Sequence, residues 1–268
     1  MRDFFQVMRE IVSNFKIVNR LARFNVRARW ADNYLGSIWD YLEPTIYIGT
    51  YFLVFGMGMY NGSVNGQPYI LWLLTGIIPW YFIQGSFNKG LNSIKSQLGL
   101  LTKIRFPVSV APLMPMLEEL RRFFFMSIAM FFVLIIFGEM PDVHWIQFLY
   151  AFVAMFATVL AHNLLNSTLT VVIPDYKPAV SAVFRLLFFT SGVIINMDAK
   201  HLPFVLVTII KMFPFYYVVE SFRDALLYHS WFWDKASNAA FFWLLTLIML
   251  MIGSMVHLRF RERFIDMV

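Results

Sequence analysis

The chain has no cysteine. Disulfides, thiolate nucleophiles and cysteine metal ligands are therefore excluded. Charge is scarce: Asp, Glu, Lys and Arg make up 14% of 268 residues, against about a quarter in soluble domains. No GxxxxGK[ST] occurs, so the chain carries no phosphate-binding loop of that type; the Gly56–Gly58 pair lies inside an apolar run, without a strand–turn–helix setting. There is no HExxH, and the five histidines (His144, His162, His201, His229, His257) lack the spacing of a metal site. Residues 1–41 hold charges throughout, with no uninterrupted apolar stretch of the kind a cleavable signal needs. An enzyme with its own catalytic site is thus poorly supported.

What remains is apolar. Hydrophobic residues make up 59% and aromatics 19%, with Phe alone at 30. The runs are long enough for a hydrocarbon core of about 30 Å, which takes roughly 20 helical residues. The reading is an all-α integral membrane protein of six spans, near 42–60, 69–89, 122–137, 145–171, 179–196 and 239–258. The net charge of +6 is assigned to cytoplasmic loops and anionic lipid rather than to nucleic acid.

Residues 3–30 read as an amphipathic helix. Phe4, Met8, Ile11, Val12, Phe15, Val18 and Ala22 recur at helical spacing, with Arg9, Lys16, Arg20, Arg23 and Arg27 off that stripe. Such a helix either lies among lipid headgroups or packs on its own bundle or a second subunit; periodicity does not separate these. Seven Lys/Arg against four acids in residues 1–41 put the N-terminus inside. The uncharged NGSVNGQP is an outside hairpin, and the basic segment 98–110 lies inside.

Pro79 is expected to kink the second span. Glu118, Glu119, Arg121 and Arg122 sit at the start of the third, at the interface or at a water-facing mouth. His162, Asn163 and Asn166 lie deep in the fourth, as interhelical hydrogen-bonding groups or as the lining of a polar conduit. Arg185 is long enough to snorkel back to the interface. LPFVLVTIIKMFPFYYVVE, residues 202–220, could span by length. It carries Lys211 and Pro214, however, and the basic C-terminus RFRERFIDMV belongs inside. It is therefore read as a pair of helices that dip into the outer leaflet and return, within an outer region 197–235. Both termini are then cytoplasmic. Residues 1–41 form an interface unit and 42–268 the transmembrane domain. Carboxylates fall near span ends and no two-half repeat is visible, which favours an external energy source over an ion gradient.

Four segments carry a resemblance. They are NVRARWADNYLGSIWDYLEPTIYIGTYFLVFG at 25–56 (with Arg29-Trp30, Leu35-Gly36, Trp39 and Pro44), LLTKIRFPVSVAPL at 100–113, Pro174-Asp175, and FPFYYVVESFRDALL at 213–227. In this order the chain resembles the membrane subunit of ABC exporters of lipid-linked polysaccharides, the teichoic acid and O-antigen translocation permeases. It departs from that pattern at Phe24-Asn25, Asn33, Pro174 and Phe213.

The resemblance implies a coupling helix at 98–110 that docks on an ATPase subunit through Lys103, Ile104, Arg105, Phe106 and Pro107. It implies a second copy of the chain and two ATP-binding subunits, which would hold the ATP and Mg; this chain itself binds no cofactor. It implies a bacterial cytoplasmic membrane and a polyprenyl-pyrophosphate-linked cargo. Lys16, Arg20, Arg23, Arg27 and Arg29 are candidates to meet that pyrophosphate. Tyr47, Tyr51, Trp72, Trp80 and Phe82 are candidates to stack on sugar rings in a conduit. Overall similarity leans to wall teichoic acid as cargo, with O-antigen export, a drug or small-lipid exporter and an ion-coupled flippase as alternatives.

Overall fold

The computed structural model describes residues 2–29, 34–104, 107–173, 175–197 and 203–264, with residues 98, 100–104 and 263 described by backbone alone. Among the described residues ten α-helices dominate: α1 Arg2–Arg29, α2 Trp39–Tyr51, α3 Tyr69–Leu91, α4 Ser93–Ile104, α5 Met114–Ile136, α6 Gln147–Val172, α7 Tyr176–Thr190, α8 Phe204–Met212, α9 Pro214–Leu226 and α10 Ala236–Phe260. Of these, α3, α10 and α6 (with the 3-10 turn Val143–Ile146 before it) are long and apolar enough to cross a membrane; α8 and α9, bent by 83° at a short break, make a fourth candidate together.

Helix α3 is the axis of the bundle. Its apolar residues run all round it, and almost all are enclosed by α5, α6 and α9. By contrast α10 buries one stripe, Ala239, Phe242, Thr246, Leu250, Gly253, Ser254 and His257, at helical spacing. That stripe faces α6 at close range: a Cβ on Gly253 would lie 3.3 Å from the Ala161 carbonyl oxygen. Small residues let two backbones approach where lipid offers no hydrophobic drive, so contact area and interhelical hydrogen bonds carry the association. Thr158 and Thr246 face each other at 3.4 Å, and Thr168 meets His257 Nδ1 at 3.0 Å.

Of the polar residues deep in α6, Asn163 and Asn166 are interhelical groups, whereas His162 meets the Thr158 carbonyl of its own helix at 2.8 Å. Asn163 Nδ2 donates to the carbonyls of Ser86 (3.3 Å) and Pro112 (3.2 Å), and Asn166 Oδ1 accepts from the Tyr176 hydroxyl at 2.5 Å. Both asparagines are buried. Gly90 makes room for Asn163, whose side chain would collide with any Cβ there.

Helix α1 lies on its own bundle, against α5, α10 and the 3-10 turn Val108–Leu113. The buried stripe is Val7, Ile11, Val18, Ala22 and Val26. Val12 and Phe15, expected on that stripe, are exposed at 74% and 45%. The helix has apolar residues on two faces, so the stripe that wins is the one matched by α5 and α10.

Two span boundaries also move. Helix α5 begins at Met114 rather than near 122 and takes the charged cluster into its first turns. Helix α7 ends at Thr190, and 15 residues at 1.5 Å each reach only about 22 Å. The NGSVNGQP hairpin forms as expected: Ser63–Val64 pairs with Gln67–Pro68, with Asn65 and Gly66 both at positive φ, the geometry of a two-residue hairpin turn. Before it, α2 continues into a π-helical turn over Phe52–Met57.

Candidate functional site

The bundle has two chemically distinct ends. At the α1 end, four carboxylate–cation pairs among the described residues tie the basic helix, α2 and α3 to the start of α5, and a fifth lies within α5. Glu118 accepts from Arg29 Nη2 (2.6 Å) and Asn25 Nδ2 (3.0 Å), with Lys89 Nζ 3.8 Å away. Glu119, 2% exposed, pairs with Lys89 and, at 2.6 Å, with Arg122. Arg121 reaches Asp40 of α2 at 3.1 Å. Glu119 can lie against α3 because Gly85 faces it; a Cβ there would sit 2.7 Å from the Glu119 carboxyl carbon. Buried carboxylates between cations hold helices at fixed register, because separating them strands a charge.

Two cavities flank this network. One, of about 410 Å³, is lined by Arg29, Asn88, Lys89, Asn92, Ser96 and Gln97 among others. It presents Arg29 and Lys89 beside several neutral donors, a set that suits phosphate oxygens, although Glu118 lines the same cleft and a phosphate would share both cations with that carboxylate. The second, of about 450 Å³, is lined by Glu43, Tyr47, Tyr51, Tyr81, Gln84 and Arg122 among others. Asn88 lines both. The Tyr47 and Tyr51 rings stack at 6.4 Å. The Tyr81 hydroxyl has no hydrogen-bond partner among the described residues. Aromatic faces beside amides suit a sugar ring, which is apolar on its faces and polar at its edge.

At the hairpin end the centre is Arg223, fully buried. Its Nη1 donates to Glu220 at 2.7 Å, and Nε and Nη2 to the Trp72 carbonyl at 3.4 and 3.3 Å. Nη2 also meets the Val193 carbonyl at 3.2 Å, and the guanidinium lies 3.5 Å over the Trp72 ring. Gly76 admits it, since a Cβ there would lie 2.5 Å from Nη2. Asp224 beside it takes both oxygens to Lys235 at 2.8 Å. Helix α9 starts at the depth of Trp80, which Phe215 meets edge-on, and ends beside the hairpin, where Gln67 reaches the Leu227 carbonyl at 3.5 Å. Lys211 lines a cavity of about 510 Å³ together with Tyr216, Tyr217, Glu220 and Lys235.

Of the expected site residues, Tyr47 and Tyr51 line a cavity. Trp72, Trp80 and Phe82, each at most 2% exposed, do not: Trp72 stacks on Tyr69, Trp80 stacks on Phe184, and Phe82 meets Phe123 edge-on. They are core residues of the bundle. Lys16, Arg20, Arg23 and Arg27 are exposed along α1, and Arg29 joins the ion-pair network. In the segment expected to couple to an ATPase, Lys103 and Ile104 end α4, Pro107 has extended backbone, and Arg105 and Phe106 lie outside the described residues.

Sequence spacing missed one cluster. His144, Asp142 and Glu139, between α5 and α6, meet His229 from the loop after α9. Spacing gives no signal for groups 87 residues apart; only the fold joins them. Burial works against ionisation of Asp142, but the His144 hydrogen bond and the charges of His229 and His144 outweigh it and hold the carboxyl below its ordinary range. His229 has φ +49°, a left-handed conformation that costs a non-glycine residue about 1 kcal/mol.

The ABC-2 type transporter family model matches residues 18–227. The chain belongs to that family. It is similar to the O-antigen export system permease protein RfbA of Myxococcus xanthus, 26% identical over 190 residues, or 70% of this chain and 72% of the relative. Two permeases of the same name from Klebsiella pneumoniae are each 23% identical, over 215 and 186 residues; these cover 80% and 69% of this chain and 81% and 70% of the relatives.

Proposed function

We propose that this chain is the membrane subunit of an ATP-driven exporter of a lipid-linked cell-surface polysaccharide. Kinship with three O-antigen export permeases carries the reading. That kinship favours an O-antigen-type glycan as cargo; the resemblance to teichoic acid permeases has no further support among the relatives. The paired cavities support the reading chemically. The amide-and-lysine cleft suits a pyrophosphate headgroup, and the tyrosine cavity that shares Asn88 with it suits the first sugars behind that headgroup.

The chain crosses the membrane six times, with α3, α5, α6 and α10, α2 continued by the π-helical turn Phe52–Met57, and α7 continued by residues 191–197 as crossings, and with the basic α1 end in the cytoplasm of a bacterium. Supporting this are helices that alternate between the two ends and the cation-rich sequence of the α1 end. Helices α8 and α9 re-enter from the outer face; the break at Pro214 and the mid-depth start of α9 support that. Two copies of the chain work with two ATP-binding subunits, which hold ATP and Mg. The segment 98–110 transmits their stroke through Lys103, Ile104, Arg105, Phe106 and Pro107.

Reconstitution with the ATP-binding subunit tests the function. Wild type is expected to move a polyprenyl-pyrophosphate-linked polysaccharide only with ATP. The Tyr47→Ala/Tyr51→Ala double variant should lose ~30-fold in rate, at about 1 kcal/mol of stacking per ring over two rings, while still binding the ATPase. Transport without nucleotide would reject the proposal.

The topology has its own test. Because the chain has no cysteine, single cysteines report without background. Met140→Cys, at a site 65% exposed, should react with an impermeant maleimide on intact cells; Ser13→Cys should react only after permeabilisation. The opposite pattern inverts the orientation.

A further inference from the structure

The cluster at the hairpin end has the composition and compactness of a transition-metal site. Asp142 caps the turn Val143–Ile146: its Oδ1 accepts from the His144 backbone N–H at 3.0 Å, which fixes the carboxylate and leaves Oδ2 turned to the rings. Nδ1 of His144 lies 2.6 Å from Oδ2 and Nδ1 of His229 2.9 Å from the same atom. One ligand atom from each of the three residues falls within 4.8 Å of the others.

Around a tetrahedral zinc with bonds of ~2.0–2.1 Å, ligand atoms stand roughly 3.3–3.4 Å apart. The separations of 2.6 and 2.9 Å from Asp142 need to change by less than about 1 Å, and the wider His144–His229 separation by at most about 1.5 Å, which side-chain rotation supplies in a half-exposed site. The ring orientations are also set from outside. His229 Nε2 lies 3.6 Å from Glu139 Oε2, so a proton on Nε2 would leave Nδ1 free to coordinate. A carboxylate behind a ligating histidine is the usual outer partner of such sites. The Trp231 ring packs on His144 with centroids 4.8 Å apart. The turn presenting His229 is held by Ser230 N–H donating to the Asp224 carbonyl at 3.0 Å and Tyr228 N–H to the Arg223 carbonyl at 3.0 Å.

From this geometry we infer that Asp142, His144 and His229 bind a zinc-class divalent cation, with Glu139 as the positioning residue behind His229. Two imidazoles and a carboxylate select zinc, or cobalt in its place, over magnesium and calcium, which prefer all-oxygen shells. A fourth position stays open to water. The ion would fasten the α5–α6 loop to the α9–α10 loop. Its placement on the outer surface rests on the orientation proposed above; the binding itself does not.

The test uses the full-length chain in nanodiscs, with any affinity tag removed and bound metal stripped by a chelator. Zinc is titrated by equilibrium dialysis, in excess magnesium and calcium. One zinc per chain is expected, and cobalt in its place should give visible d–d absorption. Glu139→Gln should weaken zinc ~10-fold, and His144→Asn/His229→Asn should lose at least ~100-fold, the upper end of what an outer partner alone is worth. If the double variant does not fold, zinc protection of His144 and His229 in the wild-type chain against carbethoxylation, read by mass spectrometry, decides the point. Absence of saturable one-to-one binding, affinity unchanged in a folded double variant, or no protection overturns the site. None of these outcomes bears on polysaccharide export, which is read separately with ATP and cargo.

Discussion

Glu119→Ala should lower the thermal midpoint of the purified protein by ~6–12 °C, corresponding to a loss of ~3 kcal/mol. The carboxylate is buried and holds both Lys89 and Arg122. Its removal leaves two like charges facing each other in a half-enclosed space, with Glu118 able to answer only one of them. Adding Arg122→Met should recover part of the loss, because deleting both partners of a pair is milder than orphaning one. A midpoint within about 2 °C of wild type would mean that water already screens these charges.

The same logic applies with different chemistry at the other end. Arg223→Lys should destabilise by ~2–4 kcal/mol even though the charge is kept. The guanidinium makes four separately directed hydrogen bonds and stacks on Trp72. An ammonium has three donors on a point charge and cannot reproduce the flat fork. Arg223→Ala should be at least as damaging. Gly76→Val should reproduce the defect without touching the arginine, since its side chain would enter the space of Nη2. Chemical denaturation in detergent, followed by tryptophan fluorescence, reads all three. A stable Gly76→Val protein would mean that Arg223 has another place to go.

How legible these features were depended on the length scale of each signal. The Asn-Gly hairpin was readable because turn chemistry is local. The helices α3, α6 and α10 were readable because a run of apolar residues needs no partner to be recognised. Which aromatics lie inside was not readable: α3 is apolar all round, so its sequence does not distinguish a face toward lipid from one toward α6. Trp72, Trp80 and Phe82 fell to that ambiguity, whereas Tyr47 and Tyr51, on the thinly covered α2, kept a free surface. Periodicity also overrated Val12 and Phe15, because it finds an apolar stripe without saying which neighbour accepts it. Arg223 stood out only as part of a motif. Its purpose lies in backbone carbonyls of α3 and the turn after α7, which no residue-level pattern encodes.

The uneven burial of the helices has a mechanical consequence. Asparagine clasps, glycine contacts and the guanidinium anchor join α3, α5, α6, α9 and α10 into a stiff chassis. Helix α2 buries only Asp40 and Pro44, and α7 only Phe184 and Phe188. Displacing a helix costs in proportion to the contacts it breaks, so α2 and α7 would swing as panels before the chassis deformed. Tyr47 and Tyr51 ride on one panel and Phe188 on the other, and all three face the same cavity. A small hinge motion there would change the bore of the cavity while leaving the rest of the bundle unmoved.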